Sequence, residues 1–434
     1  MQDIRPSAAP DATPPAAPPV TGPTPAHRTG LLLILVLGSL TALAPLSMDL
    51  YLPALPRVAA NLHTSDGTVQ LTLTSCLLGL AAGQLIAGPL SDALGRRRPL
   101  LVGMAVYVVA TAACAAAPDA RLLIALRLIQ GLSGAAGIVI ARAVVRDLFD
   151  GLAAARFFAS LMLVSGTAPI LAPMLGGQIL RFTSWRGVFA VLSVLGLLIL
   201  LAAALLLRET LPPARRHSGG LPDTLRTMGD LLRDRAFTGY VLSGSFGFAS
   251  LFAYVSGSSF AIQQVYGASP QTFSLLFGLN SVGLVAMSQL NGKVLMGRFR
   301  AHRVLLLGMT VMGGAALVLV LLVTLTDAGL PWIAACLFGT AAGLGLVTPT
   351  TTALSLQRTP HAAGSGSALL GTLQFTVGAA SPALAGLGSG GSDGGSALPM
   401  AATMLGMALL AAVTFLAFCR PWRPTPDPLS APTG

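Results

Sequence analysis

One carboxyl group sits where water is scarce. Of the 15 Asp and Glu residues, Asp49 alone lies inside an apolar run, whereas the others fall in polar loops or tails. Desolvation favours the neutral form of a carboxyl and a nearby cation favours the charged form, so a group in such a place can take up and release a proton. The candidate cation is Arg127, ~9 Å along a helix from the start of another apolar run. An arginine there costs about 3 kcal/mol or more unless it is paired or hydrated. Gln130 shares its face at i+3. Asp49 and Arg127 are therefore the expected proton-coupling residues. Each has a plainer alternative: Asp49 lies ~27 Å along a helix from Leu31, where it could simply be solvated, and Arg127 could snorkel to the same surface.

Other chemistries find no support. Cys76, Cys114, Cys336 and Cys419 form no CxxC pair, and the five histidines form no HExxH motif. A G-x-x-x-x-G-K-[ST] loop is absent, and the apolar runs hold no Ser-His or paired-Asp arrangement. The chain is expected to be no enzyme and to need neither cofactor nor metal.

Lipid must supply the solvent around these residues. The 434 residues are 54% hydrophobic and 9% charged, against about a quarter charged in a soluble chain. The apolar runs are continuous, rich in Leu, Ala and Gly, and long enough to cross a bilayer core of ~30 Å as helices. They lie near 31–52, 69–90, 99–117, 121–143, 158–181, 187–207, 236–263, 271–293, 302–325, 331–354, 363–388 and 398–418. Residues 1–28 are Pro/Ala-rich and read as a disordered cytoplasmic tail. Arg28 and Ala42-Leu43-Ala44 mimic a signal peptide, but the apolar run continues past that point and starts late. A polar linker, 208–235, separates a six-helix bundle over 29–207 from a second over 236–418, and 419–434 form a second cytoplasmic tail. With both termini in the cytoplasm, all but Arg57, Arg121, Arg127, Arg181 and Arg186 of the 26 Lys and Arg fall on the cytoplasmic side. The formal charge of +11 is scattered between apolar runs, which argues against a nucleic-acid surface.

Two further stretches could govern movement. After the second span the sequence reads Gly88-Pro-Leu-Ser-Asp92-Ala-Leu-Gly95-Arg96-Arg97-Arg98, with glycines for a tight turn and close approach and Asp92 as a partner for arginine. A fainter echo, Gly297-Arg298, follows the eighth span. In the fifth span Gly166, Pro169, Pro173, Gly176 and Gly177 put two prolines on one face beside small residues. The second half has no acid in its spans. It offers Tyr254, Gln263, Asn280 and Gln374, with Phe248, Phe252 and Phe375, as a candidate substrate cavity. Aromatic residues at helical spacing more often serve packing or lipid contact.

These motifs resemble the major facilitator superfamily. Gly88, Asp92, Gly95 and Arg96 match its G-x-x-x-D-x-x-G-R loop, which the resemblance makes a conformational gate. Arg127-x-x-Gln130-Gly131 is similar to its fourth-helix signature, associated with proton transfer. The fifth-span set resembles the antiporter motif, with Ala172 standing where that motif has Gly before the proline. Ser47 to Pro56, Ala141 to Asp147 and Val265 to Ser274 resemble the bicyclomycin and chloramphenicol resistance (Bcr/CflA) subfamily, and the likeness runs from about residue 31 to 418. The resemblance implies an all-α polytopic membrane protein with twelve transmembrane helices in two pseudo-symmetric bundles. It further implies proton-coupled antiport of small drug-like molecules across a bacterial inner membrane, by a monomer whose partners are substrate, protons and lipid. The alternative is a proton-coupled exporter or symporter of a natural metabolite such as a sugar or amino-acid derivative.

Overall fold

The computed structural model describes residues 27–149, 151–216, 220–296, 298–359, 363–387 and 396–419. The expected tails lie outside the described residues as far as residue 26 and from residue 420 on. Helix α1 (His27–Asp49) passes through a short 3-10 turn, Leu52–Ala54, into α2 (Leu55–Asn61). Then follow α3 (Asp66–Leu94), α4 (Arg97–Ala115), α5 (Ala120–Leu148), α6 (Gly151–Phe182) and α7 (Trp185–Leu206). Helix α8 (Gly220–Leu231) precedes α9 (Arg235–Phe260), α10 (Pro270–Leu290), α11 (Ala301–Leu325), α12 (Leu330–Gln357), α13 (Ala363–Leu387) and α14 (Leu398–Thr414).

Eleven helical stretches among the described residues are long and apolar enough to cross a membrane, α1 and α2 counting as one. The 32-residue α6 makes the twelfth, so the all-α, twelve-helix architecture is as expected. Side chains pointing away from the bundle are apolar, as a lipid-facing surface requires: Phe182 is 89% exposed and Leu205 83%. Loop acids have a structural use. Asp119 accepts from Leu122 N at 2.9 Å, and Asp234 accepts from Ala236 N at 2.9 Å, so each caps a helix start.

Small residues let the helices close up. A Cβ at Gly79 would lie 2.2 Å from the Leu128 carbonyl oxygen, and one at Gly131 would lie 2.1 Å from that of Cys76. Helices α3 and α5 therefore touch backbone to backbone, reciprocally. Helix α3 also packs on α13, Gly67 against Gly386, and α6 packs on α10.

Several boundaries differ from the sequence reading. Asp92 and Asp147, assigned to loops, lie in the last turns of α3 and α5, and Asp66 is the first residue of α3. Apolar patterning ends before the polar final turns of a helix do. The 208–235 linker contains α8, whose Met228 is buried with Phe237, Val241 and Leu369 and packed by Leu85 and Leu231. Met228 and Leu231, three apart, give α8 an apolar edge that a polar average hides.

Candidate functional site

Helix α1 stops at Asp49 because of Pro53. Proline has no N–H to give the carbonyl four residues earlier, and its ring would collide with that carbonyl in a continuing helix. The last bond of this stretch runs from Leu50 N to Leu46 O at 3.1 Å, so the Ser47 carbonyl is left for another donor. Arg127 of α5 takes that place. Its Nη1 donates to Ser47 O at 2.9 Å and to Gln130 Oε1 at 2.6 Å, and its Nη2 meets Met48 Sδ at 3.3 Å. The rings of Tyr51 and Phe189 stand 5.4 and 5.8 Å from the guanidinium carbon, within cation–π range. Gln130 is fixed in turn by donating to Thr111 Oγ1 at 2.8 Å, and Ser47 Oγ lies 2.6 Å from Tyr107 OH.

Arg127 is thus a cation at the C-terminal end of α1, where a helix favours positive charge. It is wholly buried, which removes the snorkelling alternative. The expected pairing with Asp49 is not formed. Arg127 directs its donors to Ser47 and Gln130, two of the groups that the broken helix and its own i+3 neighbour present. Arg127 reaches Asp49 only through the backbone of α1.

Asp49 is 7% exposed and, among the described residues, makes no hydrogen bond and no ion pair. A charge held there is doubly costly, since the residue is largely withdrawn from water and ends α1, where the helix dipole is negative. Elements of both sequence halves close around it. A Cβ at Gly176 of α6 would lie 2.2 Å from the carbonyl oxygen of Leu50, next to Asp49. Gly177 abuts Ser274 of α10, and Gln271 Nε2 donates to Gly177 O at 3.2 Å. Pro169 O accepts from Ser281 Oγ at 3.3 Å. Pro173 is buried, and Gly166 lies in the same helix. The α6 set is therefore a wedge between the Asp49 turn and α10.

The weaker cavity residues divide. Tyr254 is buried in α9. Asn280 Nδ2 donates to Tyr254 OH at 2.9 Å, and Tyr254 stacks on Phe277 at 5.3 Å. Gln374 is half-buried on α13, beside Phe375, whose ring meets Phe248 at 5.6 Å. Phe248 and Phe252 stand 4.8 Å apart. Gln263 joins the two halves. Its amide donates to Pro53 O at 3.3 Å and Ser259 Oγ at 2.8 Å, and Ser259 Oγ donates to Leu52 O at 2.6 Å. The chain bends at Ala261–Val265 into a π-turn, which turns Gln263 onto the segment after Asp49 and makes it a clasp at that end of the bundle.

At the opposite end, Arg96 gathers the gating loop. It donates to Asp147 Oδ2 at 2.8 Å, to Ser91 Oγ at 2.9 Å and to Asp92. Burial opposes its charge, but the hydrogen bonds to Asp147 and Asp92 outweigh this and raise its pKa above the ordinary value. Gly95 turns the chain at φ +90°, and Gly88 lies two turns before it in α3. Glu209, absent from the sequence-derived site, accepts from Arg96 N at 2.8 Å, Arg97 N at 3.2 Å and Leu211 N at 3.0 Å. Burial works against its charge, yet these donors and Arg216 hold its pKa below the ordinary value. Arg97 completes the tie by donating to Leu207 O at 2.9 Å. No spacing rule joins residues so far apart in the chain. Only the return of α7 beside α4 does.

The profile of the Major Facilitator Superfamily matches residues 37–382. The chain belongs to that superfamily. It is 40% identical over 396 residues to the uncharacterised MFS-type transporter YdgK of Bacillus subtilis, covering 90% of this chain and 96% of the relative. It is 32% identical over 360 residues to the bicyclomycin resistance protein homolog of Haemophilus influenzae, covering 81% and 88%. These relatives agree with the Bcr/CflA resemblance of the motifs. The fold matches an inward-facing, unoccupied bacterial homolog of the human lysosomal transporter Spinster, with a TM-score of 0.74 at 17% identity over 93% of this chain and all of the other. The YdgK relative is named as an MFS-type transporter and the Haemophilus relative for bicyclomycin resistance, and the solved structure shares the fold.

Proposed function

We propose that this transporter exports small drug-like molecules across a bacterial inner membrane in exchange for protons, with Asp49 as the proton carrier. The observation behind this reading is a buried carboxyl without a partner, placed where the α6 wedge meets the end of α1. Protonation with the Asp49 end open removes the cost of the charge and lets α6, α9 and α10 close over the turn. Opening at the Arg96 end rehydrates Asp49, which then releases its proton as substrate binds. Arg127 holds the α1 terminus in shape throughout. The bundles over 29–207 and 236–418 rock about the α3–α13 and α6–α10 seams, and the end of α1 parts from α6 as the Asp49 end opens; the 208–235 linker joins the bundles, with both termini cytoplasmic and the monomer as the working unit. The name of the Haemophilus relative supports an antibiotic-like substrate, and the wedge of α6 supports exchange.

The test is proton flux recorded with a pH dye inside proteoliposomes while chloramphenicol or bicyclomycin is added outside. Exchange predicts proton movement opposite to drug movement. Movement of both in one direction would make the protein a symporter. If neither drug moves, the natural-metabolite reading replaces this one.

A further inference from the structure

Two cavities at the Asp49 end meet at a second carboxyl group. The outer one, about 350 Å³, is lined by His63, Thr64, Asp66 and Gln264 together with apolar residues of α2. The inner one, about 20 Å³, lies across the seam between α3, the Ala261–Val265 turn and the start of α14, and Asp66, Gln70, Gln264 and Ser396 supply its polar lining. A space of that size holds one water-sized guest.

Gln70 gives the inner cavity its character. It is 2% exposed, and its Oε1 has no hydrogen-bond partner. A buried acceptor left without a donor is costly, and such groups in native structures call for an explanation. Its companions are acceptors too. Asp66 presents a carboxylate. Gln264 turns its Nε2 towards Asp66 Oδ1 at 3.5 Å, which leaves its own Oε1 as an acceptor. Ser396 Oγ accepts from Leu398 N at 3.1 Å and keeps a second lone pair beside its own O–H. The titratable groups lining the two cavities are Asp66 and His63, the latter only in the outer one, and no Lys or Arg lines either. Oxygen acceptors with one formal negative charge suit a small, hard, singly charged cation.

We propose that this crevice binds one small monovalent cation, hydronium or Na⁺, between Asp66, Gln70 and Gln264, and that the cation helps hold α3 against the second half at the Asp49 end. The site rests on the ion-coupled reading above and adds an outer station where the coupling ion first meets the closed seam. Asp66 and Gln70 come from one half of the chain and Gln264 from the other, so occupancy favours the closed seam and opening disperses the ligands.

The experiment records charge displacement in oriented proteoliposomes on a solid-supported membrane, without drug, after a jump in pH or in Na⁺ at constant ionic strength. All proteins carry Asp49→Asn, so Asp49 contributes nothing to the signal. A response to the pH jump alone identifies hydronium, and one to the Na⁺ jump alone identifies Na⁺. Adding Asp66→Asn abolishes the response. Gln70→Leu raises the half-saturating cation concentration by about tenfold, and Gln70→Glu, which adds a second carboxylate, lowers it by a similar factor. A misfolded variant cannot gain affinity, so the Gln70→Glu result separates site loss from fold loss. No response to either jump, or an Asp66→Asn response equal to that of its parent, overturns the proposal. Drug-driven proton flux in the otherwise unaltered protein reports separately on the antiport reading.

Discussion

Gly176→Ala tests whether the α6 wedge sets the closed arrangement at the Asp49 end. The added Cβ would stand 2.2 Å from the Leu50 carbonyl oxygen, whereas carbon–oxygen contacts between packed helices settle near ~3.3 Å or more. The shortfall is about 1 Å. A backbone carbonyl cannot swing aside as a long side chain can, so α1 and α6 must part there. Overpacking of this kind costs about 1–3 kcal/mol, here charged only to the state in which Leu50 and Gly176 touch. At about 1.4 kcal/mol per tenfold, the closed state loses between about 5-fold and 150-fold in population. The assay is the labelling rate of a cysteine placed at Gln263, whose side chain clasps Pro53 O and Ser259 Oγ in the closed arrangement. The Gly176→Ala background should speed labelling by a factor in that range. An unchanged rate would show that α1 and α6 do not close on each other through this contact.

Gly95→Ala should lower the melting temperature of the purified protein, because φ is +90° and the new Cβ would come within 2.6 Å of Glu209 Oε2. A side chain at φ +90°, ψ 165°, a region that only glycine adopts readily, costs about 1–3 kcal/mol, and an unaltered melting curve would contradict this account of the turn. Glu209→Gln should destabilise the protein at neutral pH. A carboxyl whose folded pKa is depressed adds stability above its unfolded value, 4.5, and loses it as pH falls through the lower folded value. The gap between wild type and Glu209→Gln should therefore close below that range, and a gap independent of pH would remove the charge from the explanation. Arg127→Lys keeps the charge but gives up the second nitrogen, which meets Met48 Sδ, and the planar face that the Tyr51 and Phe189 rings approach. Drug export should fall by about 10- to 100-fold, the loss of that hydrogen bond and of the cation–π contacts, and wild-type export would show that charge alone suffices.

Much of this arrangement was legible in the sequence because lipid makes composition decisive. Twelve apolar runs, the isolated Asp49 and the buried Arg127 all followed from the cost of polar groups in hydrocarbon. The fifth-span glycines also sit where small residues are required, Gly176 against Leu50 and Gly177 against Ser274. What patterning could not supply was the third dimension at helix ends. Pro53 breaks α1 at Asp49 and hands the Ser47 carbonyl to Arg127, so two residues expected to pair are joined through backbone instead. Glu209 and Arg96 meet because α7 returns beside α4, and Gln263 reaches Pro53 and Ser259 from a π-turn. In each case the deciding contact depends on where a carbonyl or amide is left unpaired, which hydropathy does not record.

The most direct test of the proton-carrier role is drug transport by Asp49→Asn in vesicles, measured in two modes. In drug–drug counterflow no net proton movement is needed, but the neutral amide mimics the protonated carboxyl, the form that gives up its proton when drug binds, so the variant should exchange drug more slowly than wild type and at a rate that no longer varies with pH. In transport driven by an imposed pH gradient, the variant should accumulate none. Gradient-driven accumulation equal to wild type would contradict the account and place coupling at another residue.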